Sequence, residues 1–389
     1  MGVWSNIIAV ARRELRIWIR RPVYIVGSLV AIVFSVVFYT TLLSCGLPSD
    51  LPIGVVDYDN SSLTRNFSRQ LDATQLGKVI HYDSFDQARA DMQKGKITSV
   101  CVLPANLYSD VTAGRQPKIT FYVNGLYFVG GALAYKNLMT MINLSAGAVS
   151  RETLRARGKN EREIMGIIRP IDIDTHQIGN ATTNYGVYLA NVILPGILEM
   201  LIIMVLIYSL GSELKYGTSR HLLRKADGSI SVALAGKLLL YTAYFCAIGI
   251  SIVILLYGFL HYPLAGSVWA MMLDMVMLVL ASEAVAILII GVIPVCRFAM
   301  SIGALYSIMA LSMAGFTMPV EMMPNCIQGL SAIFPLRHYY LFFVQEAQFG
   351  AGFAGWWPHM LAMGVFMLLP FIVLVRLKKA YIYQNYPKN

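Results

Sequence analysis

Residues 212–227 lie between two long apolar runs and hold the only dense group of charges in the second half of the chain: Glu213, Lys215, Arg220, Arg224, Lys225 and Asp227. Leu214, Leu222 and Leu223 are interspersed with them, so the stretch reads as a docking element. Its leucines would fill an apolar groove on a partner, with Glu213 and Arg220 at the polar rim. A solvated loop that merely orients a membrane chain would carry the same basic residues. A second group of chemically capable residues lies inside apolar runs: Glu199, Asp274 and Glu283. Acids there are costly, about 2.5–3.5 kcal/mol for Asp at a membrane-helix centre. On one reading Glu199 and Glu283 line a polar path or relay protons; on the other they pair with Ser, Thr or Tyr between packed helices. Asp274, nearer the outer end of its run, reads as a solvated or structural group. No lysine or arginine lies deep enough to be an obvious partner for these acids.

Catalytic constellations are missing. A phosphate-cradling loop needs G-x-x-x-x-G-K-[ST]; the nearest approach, Gly228 to Gly236-Lys237-Leu238, has the wrong spacing and no Ser or Thr. The six histidines show no H-E-x-x-H or other ligand spacing, and no G-x-S-x-G occurs. The chain is therefore expected to be no enzyme and to hold no metal or cofactor of its own. The five cysteines are widely spaced and form no C-x-x-C pair, so no disulfide framework follows. Leu42-Leu43-Ser44-Cys45 resembles a lipoprotein processing box. The apolar run before it exceeds the roughly 7–15 residues of a signal peptide, so Cys45 is read as ending a span.

The 389 residues are 57% hydrophobic and 13% charged, against about 25% charged in a soluble domain. Several runs reach the roughly 20 residues that cross a bilayer as helix. The net charge of +10 sits mainly beside those runs, where membrane orientation explains it without nucleic acid.

The elements that position these groups follow from periodicity. Over residues 1–21, Trp4, Ile7, Ile8, Ala11, Leu15, Trp18 and Ile19 recur at helical spacing while Arg12, Arg13, Arg16 and Arg20 collect elsewhere, as in a helix lying among lipid headgroups. Residues 22–44 form the first span, entered from the cytoplasm by the positive-inside rule. Residues 45–186 alternate strand and helix signals, including capping residues at Ser61 and Ser84, and then a helical arm over 128–165. This stretch is expected to be an external α/β domain. Further spans are predicted over 188–210, 230–260, 269–293, 298–316 and 360–375, within a region 187–389. The cytoplasmic loop occupies 212–228, and an external re-entrant hairpin occupies 317–357, where Pro319, Pro324 and Pro335 break any single helix. Its short helices are predicted over 324–334 and 336–347, with Trp356 and Trp357 as interfacial anchors. The expected fold is thus an α-helical polytopic membrane protein with six transmembrane helices and an α/β domain between spans one and two, both termini cytoplasmic.

This layout resembles the permease subunits of type-2 ABC exporters with a large external domain between the first two spans. Ile53-Gly54-Val55-Val56-Asp57-Tyr58-Asp59-Asn60-Ser61 is similar to the opening of that domain, and residues 184–196 to the entry of the second span. Glu213, Gly217, Thr218, Leu222 and Leu223 match an E-x-x-x-G-T-x-x-x-L-L coupling loop, although Lys215, Arg220, Arg224 and Lys225 make it more basic than is usual there. Ala314-Gly315-Phe316, Pro319, Met323-Pro324, Pro335-Leu336, His338 and Tyr339 look like the family's re-entrant hairpin.

The resemblance implies a bacterial inner-membrane permease that pairs with a second copy or paralogue. Two copies of a separate ABC ATPase would bind ATP and Mg and supply the energy. Family members with a sizeable external domain often work with a periplasmic adaptor and an outer-membrane channel. The aromatic, Met-rich spans suit an amphiphilic or hydrophobic cargo. An ion-coupled secondary transporter, or a non-transporting receptor or assembly scaffold, stands as the alternative.

Overall fold

The computed structural model describes residues 2–383 apart from 45, 75–76, 127, 172–173, 175, 177–178 and 182. Cys45 therefore lies outside the described residues. Two compact units emerge, Met1–Gly46 with Gln177–Asn389, and Leu47–His176.

The first unit begins with α1 (Val3–Arg20), which stops before Pro22, and α2 (Val23–Leu42). Pro22 disfavours helical backbone in the residue before it, which separates the two. α1 turns Asn6, Val10, Ala11 and Glu14 into the unit, while Trp4 is 77% exposed. Its polar stripe is thus partly inward, because Glu14 and Arg13 have partners there.

Leu47–His176 is an α/β unit. In it β1 (Leu51–Asp57), α3 (Ser62–Asp72), β2 (Gly77–Tyr82), α4 (Phe85–Gln93), β3 (Ser99–Leu103), α5 (Leu107–Thr112) and β4 (Thr120–Val123) alternate. The sheet order is β2-β1-β3-β4, with β1 parallel to β2 and β3, and β4 antiparallel to β3. Ser61 and Ser84 cap α3 and α4 by accepting from Thr64 N and Gln87 N. β1 is apolar from Leu51 to Val56 because both faces are covered. Ile53 and Val55 pack with Phe67, Leu71, Cys101 and Leu138, whereas Val56 packs with Ala88, Ile97 and Val100. The arm is two helices, α6 (Phe128–Ala156) and α7 (Glu161–Ile168), folded together at Gly158 and tied by Arg151 to Glu161.

In the rest of the first unit come α8 (Tyr185–Lys215), α9 (Ser219–Lys225), α10 (Ile230–Ile254) with a π-helical continuation to Phe259, α11 (Val268–Val292) and α12 (Cys296–Met313). Then follow α13 (Asn325–Ser331), α14 (Pro335–Phe343), a π turn at Val344–Gln348, α15 (Phe353–Phe366) and α16 (Leu369–Tyr383). Among the described residues six helices are long and apolar enough to cross a membrane: Ile25–Leu42, Tyr185–Lys215, Ile230–Phe259, Val268–Val292, Cys296–Met313 and Phe353–Tyr383. The last begins earlier than predicted, since Pro358 sits inside α15 and Trp356 is buried against Phe342. It is interrupted just before Pro370, at Met367 and Leu368. α8 outruns its predicted end because the helix continues through Glu213, whose charge is neutralised within the unit.

Candidate coupling site and intramembrane polar groups

The charged stretch is mostly helix. α8 runs on to Lys215, Gly217 takes a positive φ of 67° that closes the turn, and α9 starts at Ser219. Thr218 sits at the α9 N-cap position, yet its hydroxyl donates back to the Glu213 carboxylate. Glu213 is buried, not at a rim. Arg13 grips it with two bonds, Nη1 to Oε1 at 2.7 Å and Nη2 to Oε2 at 2.9 Å, the bidentate form that is strongest for this pair. Lys237 Nζ donates to Glu213 Oε1 at 3.0 Å and to Glu14 Oε2 at 2.9 Å. Tyr241 Oη lies 3.0 Å from Glu14 Oε1 and 2.9 Å from Ser209 Oγ, and Ser209 donates to the same Oε1 at 3.2 Å.

Two cations and two carboxylates thus form a neutral buried quartet that joins α1, α8 and α10. Burial alone would lower the Arg13 pKa; the hydrogen bond and charge of Glu213, with Glu14, overcome this and hold it above its ordinary value. Gly236 makes the arrangement reachable: a Cβ there would sit 2.7 Å from Ile7 O and from Val10 Cβ, so its absence lets α1 close on α10. The Gly236-Lys237 pair that looks like a failed phosphate loop is therefore a packing site and a charge partner. Lys237 serves Glu14 and Glu213 and not the three acids of the spans.

Leu222 and Leu223 are 1% and 6% exposed and pack with Leu214, Ala226 and Ile230 in the unit's own core. They offer nothing to a partner's groove, because a seven-residue helix between two spans buries its apolar face against its own chain. Its outer face carries Arg220, His221 and Arg224, next to exposed Lys215 and Tyr216. Arg220 Nε also donates to Ile382 O at 2.9 Å, and Ser219 Oγ to Tyr381 O at 2.9 Å, which fastens α16 to α9. Tyr381 in turn donates to Leu210 O at 3.0 Å.

The acids of the spans are scattered. Glu199 and Asp274 are fully buried, and neither carboxylate has a hydrogen-bond partner among the described residues. Of the two readings of Asp274, solvated or structural, its burial removes the first, because α11 is enclosed along most of its length. Glu283 accepts from Thr242 Oγ1 at 2.7 Å through one oxygen only. In the hairpin, Pro319 precedes a 3₁₀ turn at Val320–Met322, Met323 and Pro324 lead into α13, and Pro335 occupies the first turn of α14, where its missing N–H costs nothing. Tyr339 is buried, and His338 is bonded to Ala332 O at 3.0 Å. Glu346, which sequence reasoning missed, accepts from Ser267 N at 2.7 Å and so ties the π turn to the start of α11. Gly266 beside it is the only available signal, since a Cβ there would lie 2.3 Å from the Glu346 carboxylate.

Comparison with known proteins bears on what such an assembly belongs to. Residues 22–376 match the family model described as ABC-2 family transporter protein. The chain is also similar to the inner membrane transport permease YhhJ of Escherichia coli (strain K12), 25% identical over 369 residues that cover 91% of this chain and 92% of that protein. The same figures hold for the protein of that name from Shigella flexneri. With the match spanning all six apolar helices' share of the chain up to residue 376, the chain belongs to the ABC-2 family of transporter proteins.

Proposed function

We propose that the chain is the membrane-spanning permease of an ATP-driven exporter and that a separate ABC ATPase docks on the exposed face formed by the end of α8 and by α9. The observation that carries this reading is the quartet of Arg13, Glu14, Glu213 and Lys237, which binds α1, α8 and α10 into one body directly behind that face. A push delivered at Lys215, His221 and Arg224 would move three helices together, which is what shifting a two-state membrane packing requires. Two ATPase copies, holding ATP and Mg, would act on a dimer of permeases. The termini and the coupling face would lie in the cytoplasm of a bacterial inner membrane, with the α/β unit outside, available to a periplasmic adaptor and an outer-membrane channel. An amphiphilic or hydrophobic cargo suits the apolar, Met-rich spans.

Co-purification with the cognate ATPase tests the docking face. K215E/R224E should reverse two exposed charges, leave insertion and thermal stability unchanged, and reduce ATPase association at least tenfold. L222D/L223D should instead prevent folding, since both leucines are core residues. Undiminished association and transport in K215E/R224E would refute the docking face.

Glu199 and Asp274, whose carboxylates have no hydrogen-bond partner among the described residues, favour one second reading, an ion-coupled transporter. Substrate accumulation driven by an ion gradient in vesicles without ATP would establish it.

A further inference from the structure

Beside the junction of α1 and α2 lies an open trench of about 630 Å³ between α2, α8 and α12, within the roughly 300–1,000 Å³ typical of small-ligand pockets. One end is formed by Arg20, Arg21 and Pro22; the walls are Gly27, Leu201, Met204, Val205 and Met300. From Pro22 to Ser28 it follows about 9 Å of helix at about 1.5 Å per residue. Neither arginine has an ion-pair partner among the described residues; Arg21 rests over the Tyr216 ring, 5.2 Å from its centroid. The quartet nearby is internally neutral, so no carboxylate among the described residues compensates these two guanidinium groups.

We propose that this trench binds an anionic phospholipid of the surrounding bilayer, its phosphate at Arg20 and Arg21 and one acyl chain along Gly27, Leu201, Met204 and Met300. The trench has two cationic forks at one end and apolar walls behind, which complements a charged headgroup on a hydrocarbon tail. Access is lateral, because the trench adjoins the outward apolar face of α2, where Val26, Leu29 and Val30 are exposed. A free phosphate would leave the walls unused, and a zwitterionic lipid would leave the arginines half-paired. The tail region beside Gly27 is open space: a Cβ placed there meets nothing within 4 Å. The inference concerns a lipid site and stands whether or not the chain exports.

Native mass spectrometry of the full-length protein released from nanodiscs tests it, with dioleoyl-phosphatidylglycerol and dioleoyl-phosphatidylcholine as probes. Phosphatidylglycerol should be retained preferentially, and R20Q/R21Q should weaken its retention about 25-fold, or roughly fivefold per basic residue. R20K/R21K should restore most of it. G27W, whose indole would occupy the tail region, should weaken it without loss of thermal stability. R12Q/R16Q removes the same charge from α1 away from the trench and should change retention less than twofold. Equal retention of the two lipids, an equal loss in R12Q/R16Q and R20Q/R21Q, or a dimer in which the partner copy excludes lipid from the trench would each overturn the proposal.

Discussion

Lys237→Met is the sharpest perturbation of the quartet. The side chain is almost wholly buried and bridges Glu14 at 2.9 Å and Glu213 at 3.0 Å, so its removal leaves two carboxylates for one guanidinium. Arg13 already holds Glu213 through two bonds and stands 3.8 Å from Glu14. The unbalanced charge therefore falls on Glu14, whose remaining hydrogen bonds come from Tyr241 and Ser209. Breaking a buried pair in this way costs about 3–5 kcal/mol, whereas removing both charges together is often nearly neutral. K237M should lose about 3–5 kcal/mol, and E14Q/K237M should return to within about 1 kcal/mol of the parent. The coupling energy of the cycle then reaches at least about 2 kcal/mol. The assay is a reversible denaturant titration in lipid–detergent micelles followed by tryptophan fluorescence. Trp18 is a local reporter, its ring 4.9 Å from that of Tyr241. A K237M cost below about 1 kcal/mol, or single-variant costs that add within about 0.5 kcal/mol in the double variant, would refute the reasoning.

Gly236→Val should force α1 away from α10, costing about 1–3 kcal/mol as an overpacked contact, and limited proteolysis should then cut within α1 first. Glu199→Gln replaces a carboxylate with no hydrogen-bond partner among the described residues, so unfolding should be unchanged within about 1 kcal/mol; a loss of export with normal complex assembly would count against a mere scaffold. In the α/β unit, burial first and the Asp57 charge second push the Cys101 thiol up to about 12, so at pH 8 a maleimide should label exposed Cys326 and spare Cys101 until the unit unfolds. The pH sign is fixed by that shift: thiolate reactivity at Cys101 should appear only as pH approaches 12 in the folded chain, and near the ordinary thiol range once unfolded.

The parts of the fold written locally were readable in advance. Apolar runs long enough to span, the Ser61 and Ser84 caps and the apolar length of β1 each depend on neighbours within a few residues, where periodicity and capping chemistry operate. The last apolar helix starts before its predicted residue 360, because Pro358 is accommodated inside α15, and its interruption falls before Pro370. The quartet was illegible for a different reason. Glu14 stands among arginines on a surface-like helix, and its partner Lys237 is 223 residues away; no spacing rule relates them. Leu222 and Leu223 show the reverse error. A motif was visible, yet its apolar members face inward, since a short helix between two spans has core beneath it.

The separation within the quartet also sets a timetable. α1 is made before α8 and α10, but Glu14 meets Lys237 only after another 223 residues have been made, on the order of 10–45 s at about 5–20 residues per second. Until Ser209 and Glu213 are made, Arg13 and Glu14 have only each other and water or lipid headgroups, and Gly236, against which α1 closes, comes later still. Docking of the first helix is therefore a late event of biogenesis, and nascent chains arrested before residue 230 should carry an α1 that proteases reach freely. The seating of α1 thus reports that the third apolar helix has arrived.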